Sequence, residues 1–191
     1  TLETKNITLI NGAETITLND VLQEALKGSD GDNITTLTGK AISGDAYDGG
    51  AGTDTVRLDG ASDNVLAVEN TETIEAGAGD DEIEIRSPGD GGVTVSSGGG
   101  NDKVSLGENF TFNTASLSGD DLVVSTNYTD PSGTAAESSI VTITLKDHAT
   151  AAFSSVQFDA DGDGQVDSNN EVFSISTGDD LSALTDSTLV V

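Results

Sequence analysis

Apolar and polar residues alternate in Ile7-Thr8-Leu9 and Ile16-Thr17-Leu18 around the turn residues Asn11-Gly12, which predicts a strand pair at the start of the chain. A short helix is expected next. Asn19 or Asp20 can cap it, Val21, Leu22, Ala25 and Leu26 make one apolar face, and Gly28 supplies the stop. From residue 28 to 107 the pattern becomes one of Gly/Asp clusters alternating with short β-branched stretches, an arrangement that invites a search for repeats. Beyond residue 108 the aromatic residues gather as Phe110, Phe112, Tyr128, Phe153, Phe158 and Phe173. Leu122-Val123-Val124 and Ile140 to Leu145 predict the arms of a hairpin whose loop contains Asp130-Pro131-Ser132-Gly133. The expected organisation is therefore a lead (1–27), a repeat region (28–107) and a C-terminal β region (108–191).

Three segments of the repeat region share one template: Gly49-Gly50-Ala51-Gly52-Thr53-Asp54-Thr55-Val56, Ala76-Gly77-Ala78-Gly79-Asp80-Asp81-Glu82-Ile83 and Ser97-Gly98-Gly99-Gly100-Asn101-Asp102-Lys103-Val104. Each reads G-x-G-x-D-x-apolar, whereas this composition gives roughly 0.3 chance matches to G-x-G-x-D in the whole chain. Glycine admits backbone conformations that turn carbonyls inward toward a cation, and the aspartate adds charge. The apolar residue two positions later (Val56, Ile83, Val104) then points into the fold, as the period of two of a strand requires. The candidate metal ligands are thus Gly50, Gly52 and Asp54, then Gly77, Gly79 and Asp81, then Gly98, Gly100 and Asp102. The strand-like stretches Val65-Leu66-Ala67-Val68 and Thr71-Glu72-Thr73-Ile74 lie between the first two copies and lack turn glycines. A solvated, hairpin-rich surface would need no metal, but it would not repeat an apolar residue at a fixed offset from each aspartate.

Charge sharpens this picture. The 191 residues include 34 acidic and 7 basic side chains, for a formal charge of -27, which excludes nucleic acid as a partner. Cysteine is absent, so disulfides, thiolate metal sites and a cysteine nucleophile are excluded. Hydrophobic residues make up 34% and aromatics 4%, so the apolar core is thin and the carboxylates call for cations. No apolar run of membrane-spanning length occurs. Methionine is also absent, and a chain opening at Thr1 is expected to be a piece of a longer protein.

A second acidic motif lies near the C-terminus. Asp159, Asp161, Asp163 and Asp167 occupy positions 1, 3, 5 and 9 of a loop with Gly164 at 6, Gln165 offering its backbone carbonyl at 7 and Val166 at 8, which resembles an EF-hand calcium loop. Position 12 is Asn170, and Glu171 comes one residue late. Strand-like flanks predict the loop without the two EF-hand helices. Calcium suits both motifs better than magnesium, because flexible carbonyl-rich turns offer more ligands than a small octahedral ion takes, and zinc lacks its Cys and His ligands. The single histidine, His148, beside Asp147, reads as an ordinary surface residue, and neither G-x-S-x-G nor H-E-x-x-H is present, so no catalytic site is assigned.

The three Gly/Asp segments resemble the nonapeptide repeat of the RTX (repeats-in-toxin) family, G-G-x-G-x-D-x-U-x, over about 40% of the chain. Only the first copy is complete, since Ala76 and Ser97 replace the leading glycine. The resemblance implies an all-β fold: a short irregular parallel β-roll, bound to several Ca²⁺ ions, followed by an antiparallel β cap. It also implies 18-residue coils with ions held along one edge, between the first and second copies and between the second and third. Gly28-Ser29-Asp30-Gly31-Asp32, out of register by one, is a candidate further turn. RTX proteins leave the cell through type I secretion machinery, and residues 181–191 are a candidate secretion signal. The function implied is a calcium-dependent structural and secretion/folding module at the C-terminal end of a large extracellular adhesin or S-layer-type protein, with any cell-surface or host ligand bound through other domains. The alternative is the accessory β-roll of a secreted protease or lipase.

Overall fold

The computed structural model describes residues 4–10, 12–19, 21–131, 138–147, 155–158 and 172–173. Sixteen strands follow one another among them: β1 (Thr4–Thr8), β2 (Gly12–Thr17), β3 (Gln23–Lys27), β4 (Asn33–Thr38), β5 (Ala46–Asp48), β6 (Thr55–Arg57), β7 (Val65–Glu69), β8 (Thr73–Glu75), β9 (Glu82–Ile85), β10 (Val93–Ser96), β11 (Lys103–Leu106), β12 (Phe110–Ser118), β13 (Asp121–Thr129), β14 (Ser138–Lys146), β15 (Ser155–Phe158) and β16 (Val172–Phe173). The odd strands β1 to β11, then β15, pair in parallel as one sheet. The even strands β2 to β10 pair in parallel as a second. From β1 to β11 consecutive strands therefore belong to different sheets, and the chain winds as a parallel β-solenoid of about five turns.

The core explains the winding. Each short coil strand buries at most three side chains, so its apolar face is satisfied only by the equivalent strand one coil away. On one wall Leu26, Tyr47, Val68, Ile85 and Leu106 stack in register, and all five are buried. On the other wall Thr35, Val56, Ile74, Val95 and Leu145 do the same. The two columns belong to one core, and the Thr35 hydroxyl donates across it to the Tyr47 hydroxyl at 3.2 Å. Burial pushes the Tyr47 phenol up to about 12.

The chain closes this stack with antiparallel strands. β14 runs parallel to β10, and β13 and β12 then add antiparallel to it, so the expected hairpin of residues 122–124 and 140–145 forms with Val124 opposite Ile143. The described residues are all-β, with coils in parallel sheets and antiparallel strands after them.

The lead differs from expectation. Residues 23–27 form a strand rather than a helix, and β1 and β2 do not pair with each other but with β3 and β4 of the next coil. The apolar spacing of Val21, Leu22, Ala25 and Leu26 fits one helical face. Yet Leu26 gains a place between Ile7 and Tyr47 in the stacked column, while Val21 stays 65% exposed. Long-range stacking outweighs local helix preference here.

Candidate metal sites at the coil edges

Every coil turns at two edges, one leading from the odd to the even sheet and one leading back. The Gly49–Asp54 turn connects β5 to β6 on the first edge, whereas the Ala76–Asp81 and Ser97–Asp102 turns connect β8 to β9 and β10 to β11 on the second. The three copies therefore do not share one edge, contrary to the single row implied by the resemblance. The spacing explains why. Asp54 aligns with Glu72 one coil on, 18 residues away, and the further stretch to Asp81 is a half coil that crosses to the opposite edge. Asp81 and Asp102 do lie one coil apart, 21 residues, in direct register. The offset turn at Gly28 to Asp32 stacks directly on the first copy, with Asn33 at the place equivalent to Asp54.

The apolar residues of the template behave as expected: Val56, Ile83 and Val104 are buried. Gly50, Gly52, Gly77, Gly98 and Gly100 all have positive φ. At Gly100 the requirement is twofold, since φ is +89° and a Cβ would overlap the Gly79 carbonyl of the preceding coil. Gly79 lacks positive φ, but a Cβ there would overlap the Ser62 carbonyl. The glycines thus permit the turns of successive coils to lie backbone against backbone.

All three template aspartates are 0–1% exposed. Each uses Oδ1 to cap the preceding coil. Asp54 Oδ1 accepts from the Asn33 N–H at 2.8 Å, Asp81 Oδ1 from the Asn64 N–H at 2.8 Å, and Asp102 Oδ1 from the Asp81 N–H at 2.9 Å. The second oxygens of Asp54 and Asp81 are buried with no hydrogen-bond donor. Asp102 is also held by the Ser97 side chain, but burial pushes its carboxyl up to about 6, and burial raises Asp81 above the usual carboxylate range as well.

Basic side chains do not answer these charges. Among the described residues the ion pairs of Lys5, Lys27, Arg57, Arg86 and Lys146 go to Glu24, Asp48, Glu75, Glu84 and Asp121. Lys5–Glu24, Lys27–Asp48 and Arg57–Glu75 join neighbouring coils.

The donor set at the edges is all oxygen, carbonyl and carboxylate, and an uncompensated buried carboxylate oxygen is a place where a hard cation is favourable. The residues present fit calcium on that chemistry. Among the described residues no three acidic or His/Cys side chains converge, so such an ion would draw on backbone carbonyls with one or two carboxylates. Oxygens of both kinds crowd Gly49, where a Cβ would overlap the Asn70 carbonyl and come within 2.9 Å of Asp54 Oδ2.

Sequence reasoning missed four participants. Asn33, Asn64 and Glu72 sit in the same ladders as the template aspartates, and Asp45 caps the coil before Asn64 by accepting from the Glu24 N–H at 2.7 Å. Their signal was weak because their coils lack the paired glycines. Asp159, Asp161, Asp163, Gln165 and Asp167, together with His148 and residues 181–191, lie outside the described residues. No family model, curated protein or solved structure matches the chain.

Proposed function

We propose that this chain is a calcium-dependent structural and folding module of a large extracellular protein of the RTX kind, an adhesin or S-layer-type protein exported by type I secretion. The observation that carries the reading is the pair of buried carboxylates in glycine-rich turns, Asp54 and Asp81, each with one oxygen that no protein donor reaches. In this reading the role is structural rather than catalytic. Calcium, when bound, supplies positive charge between adjacent coils. The chain's own residues do the rest: glycines let the turns stack, and Oδ1 of each aspartate ties its coil to the one before.

The charge of -27 supports the same reading. At low calcium, carboxylate repulsion and the ordering cost of glycine oppose winding, which suits a chain that must cross a secretion channel extended. Where calcium is abundant, its binding free energy becomes folding free energy. The acidic loop from Asp159 to Asp167, with the Gln165 carbonyl, is proposed as a separate calcium site of the same protein. No helix among the described residues is long and apolar enough to cross a membrane.

Calcium titration by calorimetry, followed by amide hydrogen exchange in calcium and in EDTA, tests the proposal. Expected is uptake of several ions and, in EDTA, weaker protection at the Asp81 N–H that Asp102 accepts. A chain that takes up no calcium and keeps that protection in EDTA would overturn it.

A further inference from the structure

Two asparagines stand at ladder positions that aspartate takes elsewhere. Asn33 is aligned with Asp54 of the next coil, and Asn64 with Asp81. The Asn64 amide nitrogen lies 2.8 Å from Asp81 Oδ1, 2.9 Å from the Ser62 carbonyl and 3.1 Å from the Asp59 carbonyl. The Asn33 amide nitrogen lies 2.9 Å from Asp54 Oδ1, 3.2 Å from the Ser29 carbonyl and 3.4 Å from the Gly49 carbonyl, and it also donates to the Gly31 carbonyl. A carboxamide has two N–H hydrogens. Each nitrogen therefore sits in a cage with more oxygens than it has hydrogens, the kind of surrounding a small cation takes.

The orientation at Asn64 is fixed by its other end. Its Oδ1 accepts from the Ala41 N–H at 3.1 Å, so reversing the amide would set NH₂ against N–H and a bare oxygen against three others. The junctions one coil further on are built differently. Past Asp54 the aligned residue is Glu72, and past Asp81 it is Asp102, so carboxylate follows carboxylate. It is at Asp54 and Asp81 that a buried second oxygen finds no donor.

We propose that the Asn33 and Asn64 carboxamides are built-in replacements for a bridging cation, closing the Asn33–Asp54 and Asn64–Asp81 junctions without metal and leaving cation uptake to the Asp54–Glu72 and Asp81–Asp102 junctions. The second half rests on the calcium reading above; the first half does not. Aspartate has the shape of asparagine but neither the two hydrogens nor the neutral charge, so Asn64→Asp turns a self-closed junction into one that requires an ion.

The test uses the full chain and compares the parent with N64D, N33D and N64A. Bound calcium is measured by equilibrium dialysis with elemental analysis, and thermal unfolding is followed in EDTA and in millimolar calcium. Expected for N64D is a lower Tm in EDTA, recovery in calcium and one further ion per chain. N33D should behave alike on the opposite edge. N64A should lose Tm equally in both conditions and keep the parent's ion count. An N64D chain that gains no ion or is not rescued by calcium overturns the inference, as does an N64A chain that loses an ion, since Asn64 would then be a ligand. A parent that binds no calcium defeats the calcium reading, while gain of an ion by N64D would still support the role of the amides.

Discussion

Asp81→Asn isolates the charge at the centre of the second edge. Asp81 is 1% exposed, its Oδ1 takes both the N–H and the amide of Asn64 at 2.8 Å, and its Oδ2 has no donor. Asparagine keeps the accepting oxygen and replaces the orphaned one with NH₂, which can donate toward Asp102 as Asn64 donates to Asp81. Removing an unsatisfied buried polar group is worth about 1–3 kcal/mol, so the metal-free chain should gain that much. For a chain of this size each kcal/mol moves Tm by about 2–4 °C, giving a rise of about 2–12 °C in EDTA. In calcium the sign reverses, because the parent gains about 4.1 kcal/mol from an ion present at about a thousand times its Kd and the variant loses that site. Circular dichroism melts of the full chain in EDTA and in calcium measure both arms. A variant less stable than the parent in EDTA would refute the claim that Asp81 carries an uncompensated charge. One more stable in both conditions would refute the cation.

Acidity should act on the metal-free chain in the same direction. Burial raises the Asp102 carboxyl from an unfolded value near 3.8 to about 6, so the folded chain holds its proton more tightly than the unfolded chain. The stabilisation is complete below pH 4, is lost as pH rises through 6, and amounts to about 3 kcal/mol at most. In EDTA, Tm at pH 5 should therefore exceed Tm at pH 7.5, and Asp102→Asn should flatten the difference; a parent Tm that rises with pH in EDTA would contradict this. Gly100→Ala and Gly119→Ala both place a Cβ at positive φ, but only at Gly100 does it overlap a backbone carbonyl of the preceding coil. Gly119→Ala should cost about 1–2 kcal/mol, and Gly100→Ala clearly more, by urea denaturation; equal costs would deny the close approach of the turns.

Local order was legible in the residues. The rule that an apolar side chain two positions after Asp points inward depends only on the alternation of a strand, and Val56, Ile83 and Val104 are all buried. The hairpin of β13 and β14 likewise follows from two β-branched runs either side of a turn. What the sequence left open was decided over separations of 17 to 21 residues, where one coil meets the next. Stacking between Ile7 and Tyr47 made Leu26 part of a strand rather than a helix. The half coil between Glu72 and Asp81 sent the first Gly/Asp copy to the edge opposite the other two. Asn33 and Asn64, unremarkable in a one-dimensional reading, became partners of Asp54 and Asp81 only because winding set them in register. The physical reason is common to all three. A strand of three to six residues buries too little surface to choose its own conformation, so the contacts between coils, which no local pattern encodes, choose it.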